Sequence, residues 1–231
     1  MRSGLSPNEL REKALRGQAK GMIGLLLLLM LPAWALTFWQ AWIYWMLFSV
    51  ATTMMSLYFL KHDPGLVESR LSAGAKAERE QNQKVIQAMA SVVVCAMVMV
   101  PGIERHFTGL PLPVALVVGA DILFLIGLWI VYLSLRENSH ASSIIEVRSD
   151  QPVVSTGPYS LVRHPMYSGC VLAFLATPFA LGSLWALPVA IALSVIIAVR
   201  LVYEERFLKA NLDGYENYTG RVRCRLIPGI W

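Results

Sequence analysis

Long apolar runs separated by short polar segments dominate the hydrophobic pattern of this 231-residue chain. A helix needs about 20 apolar residues to cross a bilayer core of about 30 Å. Four runs reach about that length: residues 21–39, 41–60, 85–103 and 112–135. The pattern therefore predicts an all-α, polytopic membrane protein.

A fifth apolar run, residues 168–203, is too long for one crossing. As a single helix it would extend about 54 Å, nearly twice the core thickness. Three residues supply helix breaks within it: Pro178, Gly182 and Pro188. We therefore predict a C-terminal helical hairpin with limbs 168–181 and 183–203, which makes six hydrophobic segments in all. Whether the first limb fully spans the bilayer stays open.

Composition and charge support the membrane assignment. The chain is 56% hydrophobic and 15% charged, with a mean hydropathy of +0.54, whereas soluble domains carry about 25% charged residues. Nineteen of the 20 Lys and Arg residues lie in four polar segments: residues 1–20, 61–84, 136–163 and the chain from Arg200 onward. The loops on the opposite side of the predicted membrane hold only Arg105. Because positive residues favour the cytoplasmic side, both termini are predicted to be cytoplasmic. The net charge of +5 thus reflects topology, and no nucleic-acid partner is expected.

The predicted segments divide the chain into three parts: residues 1–20, 21–135 and 136–231. The first is a cytoplasmic amphipathic segment, helical because Ser6-Pro7-Asn8-Glu9 matches a capped helix start. The second holds four transmembrane helices and the cytoplasmic loop 61–84, where Asp63-Pro64-Gly65 predicts a turn and residues 69–84 a surface helix. The third holds the hairpin and a cytoplasmic tail.

Isolated polar and sulfur-containing residues give weaker signals. Asp121 lies well inside a predicted span, where a carboxylate is either functional or structural. Its position in the outer half favours a structural role. Cys95, Cys170 and Cys224 form no CxxC pair, so neither a disulfide nor a zinc site is expected.

Two polar clusters flank the hairpin, which brings its own ends together. Gly157-Pro158-Tyr159, Val162-Arg163-His164-Pro165 and Tyr167 precede it, and Arg200 with Tyr203-Glu204-Glu205 closes it. Arg200 and Glu204 are four residues apart and share one helix face. Pro165 suits the first turn of a helix whose N-terminus is open to an anion. Taken alone, the residues leave two interpretations open, contacts with lipid headgroups or a shared cavity.

Together the clusters resemble the isoprenylcysteine carboxyl methyltransferase family, within the wider phospholipid methyltransferase group of integral membrane methyltransferases. The resemblance rests on Gly157-Pro158-Tyr159-x-x-Val162-Arg163-His164-Pro165-x-Tyr167-x-Gly169 and on Arg200-x-x-x-Glu204-Glu205. It covers residues 150–231, about a third of the chain. It implies that residues 136–231 form a catalytic region with a cofactor-binding loop.

The resemblance implies S-adenosylmethionine as the cofactor and methyl donor. It also implies a lipophilic acceptor that enters from the bilayer, such as the carboxylate of an isoprenylcysteine-like molecule. Glu204 would hold the donor's ammonium group, and Arg200 would orient the acceptor. The implied donor-binding residues are Val153, Val154, Tyr159, His164, Pro165, Tyr167 and Glu204, with Arg163 and Glu205 as secondary candidates.

The implied chemistry suits these residue types. S-adenosylmethionine carries a positive sulfur, an ammonium and a carboxylate, so it needs an acid at one end and a cation or helix N-terminus at the other. Methyl transfer needs alignment in a dry pocket, and no metal is expected. A carboxylate acceptor needs no general base, whereas an amine or hydroxyl acceptor would require one, and His164 or Glu205 could serve.

One position departs from the family pattern. Ile144 stands where the family has a polar residue. Either Ser142 or Glu146 substitutes for it, or that contact with the cofactor is missing.

Two other functions stay open beside methyl transfer. One is an NADPH-dependent membrane sterol or steroid reductase, a family whose C-terminal part is similar, although the first cluster has no extra Arg or Lys for a 2′-phosphate. The other is a non-enzymatic membrane scaffold. Neither the methyl acceptor nor the oligomeric state can be predicted.

Overall fold

A computed structural model describes residues 6–71, 81–108, 112–141 and 151–231. These residues form eight α-helices and one 3₁₀ turn (Gly157–Ser160). The helices are α1 (Pro7–Ala33), α2 (Trp39–His62), α3 (Pro64–Leu71), α4 (Gln81–Phe107), α5 (Val114–Glu137), α6 (Pro165–Ala180), α7 (Ala186–Asn211) and α8 (Tyr215–Arg221).

The hydrophobic helices match the predicted fold class. Within the described ranges, α1, α2, α4, α5 and α7 are long and apolar enough to cross a membrane by length and composition, and α6 is a shorter apolar helix. The predicted all-α membrane protein with six hydrophobic segments is therefore confirmed.

Helix α1 begins as predicted and ends earlier. Ser6 caps it, since the Glu9 backbone N–H donates to Ser6 Oγ (3.4 Å) and the Ser6 N–H donates to the Glu9 carboxylate (2.8 Å). The polar lead and the first apolar run form one continuous helix. The predicted end at residue 39 is wrong, because Trp34 adopts a left-handed conformation (φ 48°) that ends the helix at Ala33.

The predicted turn at Asp63-Pro64-Gly65 is instead the start of α3. Asp63 Oδ1 accepts a hydrogen bond from the Leu66 N–H at 3.0 Å, and Pro64 is the first helical residue. An aspartate cap followed by proline suits a helix start as well as a turn. Residues 72–80 of the predicted surface helix lie outside the described residues.

Helices α6 and α7 form the predicted hairpin. Its turn contains Gly182, whose φ of +67° favours glycine. The predicted breaks at Pro178 and Pro188 are wrong, because Pro178 lies within α6 and Pro188 lies near the start of α7. Proline in a first helical turn sacrifices no intrahelical hydrogen bond.

A carboxylate on α4 holds the hairpin turn. Glu104 accepts hydrogen bonds from the Ser183 hydroxyl and from the Trp185 N–H (3.0 Å). The Ser183 hydroxyl in turn accepts from the Ala186 N–H (3.1 Å) at the start of α7. We call this end of the bundle the hairpin end. The opposite end, where α6 begins and α7 ends, is the site end.

Two glycines let α5 and α6 pack backbone against backbone. A Cβ added at Gly127 would lie 2.6 Å from the Gly169 carbonyl oxygen, and one added at Gly169 would lie 2.5 Å from the Gly127 carbonyl oxygen. Small residues allow membrane helices to approach this closely. Because Gly169 is in the second turn of α6, the contact fixes the start of α6 against α5.

Asp121 is a buried carboxylate of α5, with 7% of its surface exposed. It lies in the half of α5 nearer the hairpin end, about two turns from Val114. It is therefore remote from the start of α6, and its predicted structural role stays a prediction.

We expect Gly127→Ala to lower the unfolding midpoint, because the added methyl would meet backbone atoms of α6. Overpacking of this kind costs about 1–3 kcal/mol. Gly119→Ala on the same helix is the matched control, since nothing lies within 4 Å of its added Cβ. Thermal unfolding in detergent measures both variants. Equal midpoints would contradict the close crossing of α5 and α6.

Candidate active site

An open cavity at the site end collects most of the predicted site residues. Its walls come from the residues after α5, the segment before α6, the first turn of α6, the end of α7 and α8. The predicted residues that line it are Val153, Val154, Tyr159, Arg163, His164, Tyr167, Arg200 and Glu204. Pro165 and Glu205 are not among the lining residues. Ile144 and its substitutes Ser142 and Glu146 lie outside the described residues.

Tyr167 joins the two charged groups of α7. Its hydroxyl donates to Glu204 Oε2 at 2.5 Å and accepts from Arg200 Nε at 3.2 Å. A phenol hydroxyl can donate and accept at once. The predicted proximity of Tyr167, Arg200 and Glu204 is thus seen in the structure, with the tyrosine between the cation and the carboxylate.

His164 lies at the start of α6, with its ring stacked on that of Tyr167 (centroids 5.9 Å apart). Its backbone N–H donates to the Arg225 carbonyl (3.0 Å), and the Tyr215 hydroxyl lies 3.4 Å from Nε2. Burial lowers the pKa of His164, and the nearby Glu204 opposes that shift. The imidazole is therefore neutral at neutral pH, so one ring nitrogen donates and the other accepts.

Tyr159 is fixed at the cavity wall by two neighbours. The Tyr218 hydroxyl donates to the Tyr159 carbonyl (2.7 Å), and Asn138 Nδ2 donates to the Tyr159 hydroxyl (3.4 Å). Burial raises the pKa of Tyr159 to about 12, so the phenol is uncharged. An apolar cluster forms another part of the wall: Val153, Leu208, Leu212, Tyr215 and Tyr218.

Glu205 is buried behind the cavity between two arginines. Arg163 Nε donates to Glu205 Oε1 at 2.5 Å, and Arg225 Nε donates to Oε2 at 2.7 Å. The side chains of Arg163 and Glu205 are only 7% and 5% exposed. Guanidinium groups thus bind both oxygens of the carboxylate. This arrangement argues against the general-base role that the sequence left open for Glu205.

Arg163 also binds the residues that follow α8, 222–231, which we call the tail, and so holds them against the loop before α6. Its Nη1 donates to the carbonyls of Val222 and Arg223, both at 2.8 Å, and its backbone N–H donates to the Cys224 carbonyl at 2.9 Å. The Arg163 side chain therefore has a structural role besides lining the cavity. We call Arg163, Glu205 and Arg225 the ion cluster.

The sequence did not reveal several polar residues near the site. Gln83 at the start of α4 is buried, and its Oε1 accepts from Arg200 Nη1 at 3.4 Å. Asn138 and His140 follow α5 and line the cavity. Arg70 Nη1 of α3 donates to the backbone carbonyl of Ala141, the residue after His140 (3.0 Å). No motif marks these residues, because each is an ordinary polar residue near the end of a helix until tertiary packing brings it to the site.

We expect Glu205→Gln to lower the free energy of unfolding by about 3 kcal/mol, because it removes the charge partner of a buried guanidinium. Denaturant unfolding in detergent measures the change. Glu216→Gln, at an exposed position of α8, is the control and should change stability little. An equal effect of the two substitutions would show that the ion cluster does not hold the tail.

The segment that contains Tyr167, Arg200 and Glu204 matches a known protein family. Residues 115–213 match the model of the phospholipid methyltransferase family, and no curated protein matches the chain. The matched segment runs from α5 into the region just after α7 and includes Tyr167, Arg200 and Glu204. The match supports a membrane methyltransferase of this wider group, and it does not reach the narrower isoprenylcysteine carboxyl methyltransferase family that the motifs resemble.

Proposed function

We propose that this protein transfers a methyl group from S-adenosylmethionine to a lipophilic acceptor held in the membrane. The main support for this proposal is the chain of hydrogen bonds Arg200–Tyr167–Glu204 in one cavity. All three residues lie in the segment that matches the phospholipid methyltransferase family. A cation and a carboxylate bridged by a single hydroxyl offer adjacent binding positions for two reactants. Headgroup contact alone would not require this arrangement.

The residues of the cavity fit the methyl donor chemically. Glu204 offers a carboxylate for its ammonium group, with a charge-assisted hydrogen bond. The start of α6, beside His164, offers a helix N-terminus for its carboxylate. Tyr159 and the neighbouring apolar cluster offer packing surfaces for its adenosine. No part of this set requires a metal.

When bound, S-adenosylmethionine supplies a methyl group activated by the positive sulfur. The task of the protein is then to align the acceptor and exclude water. Tyr167 sets the spacing between Glu204 at the donor position and Arg200 at the acceptor position. Arg200 would orient an anionic acceptor group through its guanidinium, and a carboxylate acceptor would leave no proton to be removed.

The length of α6 favours an acceptor that arrives from the bilayer. Its 16 residues make a helix of about 24 Å, which is about 6 Å shorter than the hydrocarbon core. If the hairpin turn lies at one edge of the core, the start of α6 lies inside the core, about 6 Å short of the opposite edge. The cavity would then meet the bilayer where an isoprenylcysteine-like acceptor places its polar end. The distribution of Lys and Arg supports a cytoplasmic position for this end.

We expect Glu204→Gln to weaken binding of S-adenosylhomocysteine, the demethylated donor, about 10- to 100-fold, because a charge-assisted hydrogen bond is worth about 1.5–3 kcal/mol. Arg200→Ala should retain this binding and lose turnover. Calorimetry and transfer of labelled methyl measure the two effects. Gln81→Ala, at an exposed position near the site end, is the control. Both role assignments are wrong if the Glu204→Gln protein binds S-adenosylhomocysteine as tightly as wild type and the Arg200→Ala protein transfers labelled methyl at the wild-type rate.

The acceptor can be identified directly. Purified protein is incubated with methyl-labelled donor and a membrane lipid extract, and mass spectrometry finds the species that gains the label. We expect a lipophilic molecule with a methylated carboxylate. Stabilisation by NADPH without any by S-adenosylmethionine would favour a reductase instead. Stabilisation by neither would favour a non-enzymatic scaffold.

A further inference from the structure

Residues 226–231, which we call the tail loop, form a closed turn at the site end. A backbone oxygen of Trp231 accepts hydrogen bonds from the N–H groups of Leu226 (2.8 Å) and Ile227 (3.0 Å). The Leu226 carbonyl accepts from the Ser168 hydroxyl at 2.6 Å, and Leu226 itself is buried. The tail loop is therefore fixed to the first turn of α6.

The tail loop presents large apolar side chains to its surroundings. Ile227 is 50% exposed, Ile230 78% and Trp231 39%. These residues lie outside every helix that is long enough to cross a membrane, so lipid contact along a span does not account for them. A cluster of exposed apolar residues on a structured loop indicates a surface that contacts another protein, a ligand or a membrane.

The depth of the loop indicates what covers it. With the hairpin turn at one edge of a hydrocarbon core about 30 Å thick, Ser168 lies about 18 Å along α6 from Ala180, in the site-end half of the core. The tail loop is bonded to Ser168 and directly follows Arg223 and Arg225, whose guanidinium groups favour the edge of the core over its interior. At that level a bilayer presents its interfacial region, which favours tryptophan.

We propose that the tail loop is an interfacial anchor that inserts Ile227, Ile230 and Trp231 into the headgroup region of the same bilayer. Exposed Arg221 and Arg223 stand just before the loop and complement anionic headgroups. A protein partner would explain the exposure of the apolar residues, but not the level at which α6 holds them. Through Ser168 the anchor would also hold the start of α6, beside the cavity, against the bilayer.

The test places a spin label on the loop. Cys95 and Cys170 are replaced by Ala and Cys224 by Ser, and Ile230→Cys is labelled in vesicles of phosphatidylcholine and phosphatidylglycerol. We expect the label to be accessible to oxygen and shielded from a water-soluble nickel chelate. Glu216→Cys on α8 is the matched control and should show the reverse. Equal behaviour at both positions, or shielding of the Ile230→Cys label from both reagents by a protein contact, would overturn the proposal.

A second measurement needs no replacement of cysteines. Lipids brominated near the headgroup quench tryptophan that lies in the interface. In the protein with its cysteines intact, Trp231→Phe should reduce the fraction of tryptophan fluorescence that these lipids quench. An unchanged quenched fraction, with the variant folded by circular dichroism, would equally overturn the proposal.

Discussion

The site end depends on one buried carboxylate. Glu205 binds Arg163 with one oxygen and Arg225 with the other, so a single side chain of α7 joins the loop before α6 to the tail after α8. A buried charge is stable only when it is paired and hydrogen-bonded, which makes this three-way contact hard to replace. With the tail in place, the His164 N–H reaches the Arg225 carbonyl, and Tyr215 and Tyr218 close one wall of the cavity.

The membrane sets the second constraint. Helix α6 is fixed near its start by the backbone contact of Gly169 with Gly127. Beyond its other end, Glu104 holds the hairpin turn. Between these contacts the short helix α6 sets how deep the cavity lies. In the proposed function, this depth would bring the polar chain from Arg200 to Glu204 close to the apolar phase from which a lipophilic acceptor would come.

Much of the fold could be predicted because apolar length and charge are local properties of the sequence. The helix ends were less predictable: the backbone of Trp34 ended α1 early, and the Asp63-Pro64 pair began a helix where a turn was expected. At the site, the motifs identified several of the residues that line the cavity, including Tyr167, Arg200 and Glu204. Helix spacing separated Glu204, which shares a face with Arg200, from Glu205, which points about 100° away. Only tertiary packing shows that two arginines bind Glu205. Packing also brings Gln83 to Arg200, and no motif marks that glutamine.

We infer that the ion cluster shapes the cavity proposed for the methyl donor, although Glu205 does not line that cavity. The test is calorimetric titration of S-adenosylhomocysteine into wild type and Glu205→Gln, both below the unfolding temperature of the variant. We expect saturable binding to wild type and binding at least about tenfold weaker to the variant, since loss of the cluster displaces the tail. Equal affinity in the two proteins, or no binding to wild type, would contradict the account.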